Sequence, residues 1–435
     1  MKKKFKVFTS VLLTLGLLAG CSDSKSTSSS GNEKKSGEKV VLTLWRGQGT
    51  DGEEALHKQQ VADFNKQSKE VEIKEEVFPY NEFTNTIRAA TSTNTLPDIM
   101  FMDGTVVANM AQLDAIVPVD ENIDSNVKTN FSASAFVKYN GKTYGLNEQE
   151  GGLGLWANKG HLTKAGVRIP TYEQPWTKDE FKDVLSKLKK VDGVKFPLDM
   201  KINYGGDYVV YAWQPIIRSF GGNWWDENSH KVEGTLNGDK TVKAYNYIKD
   251  LVKAGYVNNK QTEDTLLVSK KASLDLTGHW NYPSYKAALK DDLILLPLPD
   301  FGEGSYTGVG GISFTVSKAA ADKGYTKQAM EFINFALGDQ YQQKVNTANG
   351  SLPANLNILK SLDAFKPGGD LHLYQQQLEG KRFVVRPESP SFPTFQSEVG
   401  KATLDILSGA SINKRLKDAS KAIEQVISDN EGNKK

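Results

Sequence analysis

Val40-Val41-Leu42-Thr43-Leu44-Trp45, Val71 to Phe78 (VEIKEEVF) and Asp98-Ile99-Met100-Phe101-Met102 decide the fold, with the segments that separate them. The first and third runs read as buried strands, and the second alternates like a half-buried one. Between the first two, residues 53–65 place Ala55, Leu56, Val61 and Phe64 on one helical face. Residues 82–91 read as a second helix. Strand–helix–strand alternation with turn residues between implies parallel βαβ units and an α/β fold.

Working outward, residues 22–39 (SDSKSTSSSGNEKKSGEK) contain no apolar side chain and read as a flexible spacer. Before it stands MKKKFKVFTSVLLTLGLLAGC. Lys2, Lys3, Lys4 and Lys6 precede an apolar run over 7–18 that is too short to span a bilayer and ends in small residues, as export signals do. Leu18-Ala19-Gly20-Cys21 resembles the lipobox of bacterial lipoproteins. That resemblance implies a diacylglyceryl thioether at Cys21, the only cysteine of 435 residues, and a mature chain anchored on the outer face of the cytoplasmic membrane. Removing the four lysines ahead of it takes the formal charge from +2 to −2. No basic excess then argues for nucleic acid. One cysteine allows no internal disulfide, so the exported fold rests on its core. The roughly 395 residues from Val40 onward suggest two domains.

Further along, helices are expected at 178–190, 241–254 and 324–337, and strands at 293–298 and 311–316. A last helical segment runs over 398–428, broken near Gly409. Tyr-, Trp- and Gly-rich loops fill the middle, and no internal repeat is evident.

Nine stretches in order together resemble the family 1 extracellular solute-binding proteins that serve sugar ABC importers. They are Leu42-Thr43-Leu44-Trp45, Leu96-Pro97-Asp98-Ile99, YNGKTYGL at 139–146, LWANK at 155–159, GGNWWD at 221–226, Gly278-His279-Trp280, Leu296-Pro297-Leu298-Pro299, Val309-Gly310-Gly311-Ile312 and GSLPA at 350–354. Trp156-Ala157 departs from the family's usual Tyr-Asn pair, and Asn147 stands where Pro is common. The resemblance implies a type II periplasmic-binding-protein-like fold: two discontinuous α/β lobes, a three-segment hinge and a ligand cleft between them. Carried onto this chain, lobe 1 is 40–149 plus 298–350 and lobe 2 is 150–297 plus 351–429, with a tail at 430–435. Crossings fall near 150–153, 296–299 and 348–353, where Gly and Pro suit hinge backbone. It further implies a sugar ligand, permease subunits as partners, a monomer and no cofactor.

Sugar recognition needs aromatic faces against ring C–H groups and fixed polar groups for the hydroxyls. The loop aromatics Tyr80, Trp156, Tyr204, Tyr208, Trp213, Trp224, Trp225 and Trp280 offer faces. Trp280 leads, because Gly278-His279-Trp280 matches a stacking position of the family. Of the adjacent Trp224 and Trp225, only one can face a cleft from extended chain, and Trp225 is chosen. Asp103 ends the third strand at its carboxyl edge, where open α/β sheets bind ligands. Glu148 alternates with Glu150 before the first crossing. Asp207 beside Tyr208, Asn281 after Trp280, and Arg386 ahead of the Pro-rich 387–393 complete the polar set.

Gly47-Gln48-Gly49-Thr50-Asp51-Gly52 satisfies G-x-G-x-x-G between a strand and a helix, a dinucleotide pattern. An exported protein meets little NAD, so the turn is read as a cleft loop with Arg46, Gln48 and Thr50 facing ligand. The five histidines show no ligand spacing, and neither HExxH nor GxSxG occurs, so neither a metal site nor a nucleophilic triad is expected. Two other classes stay open: a secreted carbohydrate-active enzyme using a carboxylate pair, and a binder of similar shape for a non-sugar solute such as polyamine.

Overall fold

The computed structural model describes residues 39–432, apart from 203–206, 227–230, 259–264 and 388. Its strands are β1 Val40–Gly47, β2 Val71–Phe78, β3 Ile99–Asp103, β4 Phe136–Tyr139, β5 Lys142–Asn147, β6 Gln149–Asn158, β7 Phe196–Asp199, β8 Ala272–Gly278, β9 Leu293–Leu296, β10 Thr307–Gly310, β11 Ile312–Val316, β12 Leu352–Pro353 and β13 Phe383–Val385. They form two sheets. The first has the order β2-β1-β3-β11-β5-β4, and the second β13-β10-β6-β8-β7, with β9 and β12 also paired to β6.

Period-2 patterning builds the first sheet from both sides. Ile99 and Phe101 of β3 join Leu42 and Leu44 of β1 in a core with Phe64, Met330, Phe332 and Ile333, supplied by helices Asp51–Gln67 and Thr326–Ala336. Met100 and Met102 point the other way, onto Phe83, Ile87, Val106 and Met110 from helices Tyr80–Thr93 and Gly104–Gln112. A strand buried on both faces reads as a continuous apolar run for this reason. β1, β2 and β3 are mutually parallel, so their carboxyl ends, Gly47, Phe78 and Asp103, share one edge.

The second sheet is organised on β6, buried along its whole length. Leu153, Leu155 and Ala157 face a core closed by the helices Lys178–Leu188, Asp207–Ser219, Asp239–Lys253 and Phe392–Leu407. Helices Phe392–Leu407 and Ile412–Gly432 are parted at Gly409, whose φ of +115° suits glycine. Helix Asp207–Ser219, with Pro215 inside it, occupies sequence expected to be a Tyr-, Trp- and Gly-rich loop.

The chain changes sheet at Glu148, between β5 and β6, and at Gly311, between β10 and β11. Crossings were expected near 150–153, 296–299 and 348–353. The second instead lies at Gly311, because β10 pairs with β6 and β13 in the second sheet before β11 joins β3. Residues 307–310 therefore belong with the second sheet, not with the first as the 298–350 assignment had it. Near Glu148, β12 returns to pair with Gln149 and Glu150.

Candidate functional site

The loop after β1 shows what its glycines do. Thr50 caps helix Asp51–Gln67 in a reciprocal capping box with Glu53. Glu53 Oε2 accepts the Thr50 amide at 2.8 Å, and Glu54 Oε1 accepts the Gly49 amide at 2.9 Å. The amides a phosphate would need are thus taken by the chain's own carboxylates, against the dinucleotide reading. Gly52 is required for packing: a Cβ there would lie 2.0 Å from the carbonyl oxygen of Ala348.

The carboxyl edge of the first sheet presents three of the expected residues. Gln48 is exposed, and Tyr80 is 57% exposed with its ring against Gly47. Asp103 caps helix Gly104–Gln112, accepting from the Thr105 amide at 3.0 Å and hydroxyl at 2.7 Å. The remaining face of its carboxylate meets Arg386, which follows β13 of the second sheet. The guanidinium donates to Asp103 in two bonds of 3.2 and 3.1 Å. Such a forked pair fixes both groups in one plane.

Arg386 also lies 4.8 Å over the ring of Tyr211, and Tyr211 stands 6.3 Å from the indole of Trp280. Trp280 is half-buried in the turn His279–Asn281 after β8. Its ring folds over Gly278, where a Cβ would lie 2.0 Å from the indole. Trp280, Tyr211, Arg386 and Asp103 form one continuous wall, aromatic at one end and charged at the other. Tyr211 was not anticipated. The signal for it is helical spacing: Tyr208 and Tyr211 are three apart, on one face of helix Asp207–Ser219.

Other expected residues serve the interior. Arg46 is 1% exposed and held by Glu54 at 2.5 Å and Glu75 at 2.6 Å, so it does not face ligand. Burial works against its charge, but those two carboxylates outweigh this and its pKa is raised. Glu148 is also 1% exposed, accepting from Gln60 at 2.5 Å with His57 Nε2 at 3.1 Å. Trp156 lies in β6 rather than a loop, fully buried, stacked on Tyr282 and donating to the Gly278 carbonyl at 3.1 Å. The Tyr208 hydroxyl donates to the Leu276 carbonyl inside the core that Leu153 and Leu155 face. Asn281 donates to Thr277 Oγ1 at 3.1 Å and Tyr285 at 3.3 Å, bracing the turn. Trp225 packs in the second core beside Trp224. Asp207 opens its helix, and its side chain and Tyr204 lie outside what is described, as does Cys21.

Behind the wall runs a buried polar junction. Glu53 Oε1 accepts from Asn349 Nδ2 at 2.6 Å and from Gln149 at 3.4 Å. Gln149 Oε1 accepts from Asn349 at 3.0 Å and from Ser351 at 2.5 Å. The Asn349 carbonyl accepts from His279 Nδ1 at 3.2 Å. Burial pushes the Glu53 carboxyl up, but the Thr50 amide, His57 and Asn349 more than offset this, and it sits below the ordinary carboxylate range. Burial lowers the His279 pKa to about 4, despite the Asn349 carbonyl and Glu53. Its imidazole is therefore neutral at pH 7, with the proton on Nδ1. Sequence reasoning missed this junction, and the signal that could have found it is the capping-box pattern Thr50-x-x-Glu53.

The family model described as bacterial extracellular solute-binding protein matches residues 59–366. An arabinooligosaccharide-binding protein of Bacillus subtilis (strain 168) is 24% identical over 369 residues, 79% of this chain and 78% of that one. Among solved structures, the GacH receptor of Streptomyces glaucescens, determined unliganded and with acarbose, superposes with a TM-score of 0.76. It is 21% identical, covering 90% of this chain and 98% of the other. An ABC substrate-binding protein of Listeria monocytogenes in complex with cycloalternan gives 0.77 at 18% identity, over 90% and 99%. The maltose/maltodextrin-binding domain MalE of Bdellovibrio bacteriovorus, bound to maltotriose, gives 0.76 at 18%, over 89% and 100%. These likenesses show the two-sheet, type II solute-binding fold.

His279 generates a pH prediction. Its folded pKa lies below the unfolded value of 6.5, so the unfolded chain binds the extra proton between pH 6.5 and 4. Stability contributed by its neutral burial is complete above pH 6.5 and is lost as pH falls toward 4, by about 1.4 kcal/mol per unit at most. Thermal unfolding from pH 7.5 to 4.5 is expected to show a shallower acid loss in His279→Asn than in the unaltered protein.

Proposed function

Because this chain belongs to the bacterial extracellular solute-binding protein family, we propose that it captures a carbohydrate and delivers it to an ABC importer of the cytoplasmic membrane. The observation that carries the sugar reading is the wall Trp280–Tyr211–Arg386–Asp103. The half-buried indole offers a flat apolar face with the buried Tyr211 ring packed beside it, and the forked guanidinium–carboxylate pair offers fixed donors and acceptors. Sugars present that combination, with C–H faces on the ring and hydroxyls around its rim. Each hydroxyl bonded to a charged partner is worth about 1.5–3 kcal/mol, and an analogue lacking it leaves that partner unsatisfied.

Gln48 and Tyr80, exposed on the same edge as Asp103, add polar and aromatic surface to the lining, which supports an oligosaccharide. The curated relative is named for arabinooligosaccharides, and three superposed proteins were solved with acarbose, cycloalternan or maltotriose. Two carboxylates of the candidate set are engaged otherwise than a hydrolytic acid and nucleophile would be. Asp103 is forked with Arg386, and Glu148 is held by Gln60 inside the junction. Binding and release without chemistry is the reading they support. Ligand touching both sheets favours the closed state by its differential affinity for it, and the importer reads that state.

The proposal includes anchoring through diacylglyceryl at Cys21, supported by the sequence around it. Expressed in a bacterial host, the protein is expected in the membrane fraction, and Cys21→Ala in the soluble fraction. Equal partition of the two contradicts the anchor. A thermal-shift and calorimetric panel of arabinotriose, maltotriose, mannotriose and spermidine tests the ligand class. A trisaccharide is expected to raise the unfolding midpoint. Trp280→Ala should then weaken its binding about tenfold, close to 1.4 kcal/mol. A response to spermidine alone refutes the sugar reading.

A further inference from the structure

Two elements of the candidate site sit on different sheets, and one buried chain of hydrogen bonds joins them. It begins in the loop after β1, where Glu53 Oε2 accepts from the Thr50 amide at 2.8 Å and hydroxyl at 3.0 Å. The other oxygen of Glu53 accepts from Asn349 Nδ2 at 2.6 Å. Asn349 is the last residue of helix Asp339–Asn349, followed by Gly350 at φ +77°. Its carbonyl accepts from His279 Nδ1 at 3.2 Å, and His279 immediately precedes Trp280.

Three glycines make room for this path. A Cβ at Gly350 would lie 2.7 Å from the His279 carbonyl oxygen, one at Gly151 would lie 3.0 Å from His279 Nε2, and one at Gly278 would strike the indole. Gly151 and Gly350 flank the passages between the sheets, so His279 is set directly against the hinge backbone. Its ring stands edge-on to the Trp280 indole, 5.4 Å between centroids at 80°. Asn281 braces the far side of the same turn through Thr277 and Tyr285. Trp280 is therefore held by its neighbours on both sides, and one of those holds runs through the hinge to the loop bearing Gln48.

We propose that His279 is a positioning residue: it ties the orientation of the Trp280 face to the hinge backbone at Asn349, and through Glu53 to the ligand-facing loop of the first sheet. The consequence is that sugar stacking on Trp280 and the setting of residues 47–50 are linked, without His279 touching ligand. This rests on the sugar-receptor reading. Proximity alone does not establish coupling, and a mutant cycle does.

The test uses whichever of arabinotriose, maltotriose and mannotriose the unaltered protein binds most tightly, with dissociation constants from calorimetry. His279→Phe keeps a ring but removes the Nδ1 donor. It is expected to weaken binding about tenfold in the unaltered background and less than twofold in Trp280→Ala. His279→Asn carries an amide near the Nδ1 position and should restore affinity to within threefold, a rescue that a purely space-filling role does not give. Should His279→Phe not fold, Glu53→Gln takes its place, with about threefold weakening expected in the unaltered background and none in Trp280→Ala. The proposal is overturned if Phe and Asn at 279 behave alike, or if either substitution retains its full effect without Trp280. If the unaltered protein binds none of the three sugars, the receptor reading itself falls and takes this inference with it. That outcome is distinct from sugar binding that is indifferent to position 279.

Discussion

The buried polar junction at Glu148 and Gln149 is the constraint on which the rest of this molecule depends. Two sheets must be joined by backbone that crosses between cores, and crossing backbone brings polar groups where water does not reach. Such groups are costly unless each finds a partner. Glu53, Gln60, Gln149, Asn349 and Ser351 supply those partners, and Gln342 donates to the Glu148 carbonyl at 2.7 Å. The passages are thereby tied to helices Asp51–Gln67 and Asp339–Asn349. Glycine at 151, 310, 311 and 350 lets the strands and helix ends approach closely enough for this bonding. The same glycines leave the hinge backbone free to absorb dihedral change.

From that junction the two contributions to the site follow. β1 and β3 carry Gln48 and Asp103 to one edge of the first sheet, and Trp280 and Arg386 follow β8 and β13 of the second. Asp103 and Arg386 meet across the division, and Asn109 Nδ2 donates to the Pro390 carbonyl at 2.8 Å on the same side. The conformation described is one in which the two sheets touch through polar groups that can exchange partners. Such hydrogen bonds are individually worth about 1 kcal/mol net between neutral groups and about 1.5–3 kcal/mol where one group is charged. A ligand that replaces a few of them and adds ring stacking shifts the balance between open and closed states without chemistry.

The βα units of the first sheet were legible in the sequence because the forces that make them are local. Apolar alternation in the strands and the apolar faces of the two helices between them act within a few residues. Asp103 was legible for the same reason, as a carboxylate at the end of a buried strand. Arg46 was misplaced although the pattern held its answer: it shares the period-2 face of Leu42 and Leu44, which leads into the core. Its partner Glu75 lies on another strand, and sequence spacing does not announce that pairing. Trp156 and Tyr208 fail differently. An indole or phenol satisfies a core as well as a sugar, and only the packing of Tyr282, Tyr285 and Tyr374 around Trp156 separates the two uses. Tyr211 escaped notice because its Tyr- and Trp-rich helix read as loop, and the hinge junction because its members come from four separate stretches of chain.

The central claim is that a sugar ring lies against Trp280 while its hydroxyls engage the Asp103–Arg386 pair. A crystal structure of the protein grown with a saturating trisaccharide from the panel tests this most directly. The account predicts ring density parallel to the Trp280 indole and at least one hydroxyl within hydrogen-bond distance of Asp103 or Arg386. Trisaccharide density elsewhere on the molecule, with Trp280 and the ion pair unengaged, contradicts it.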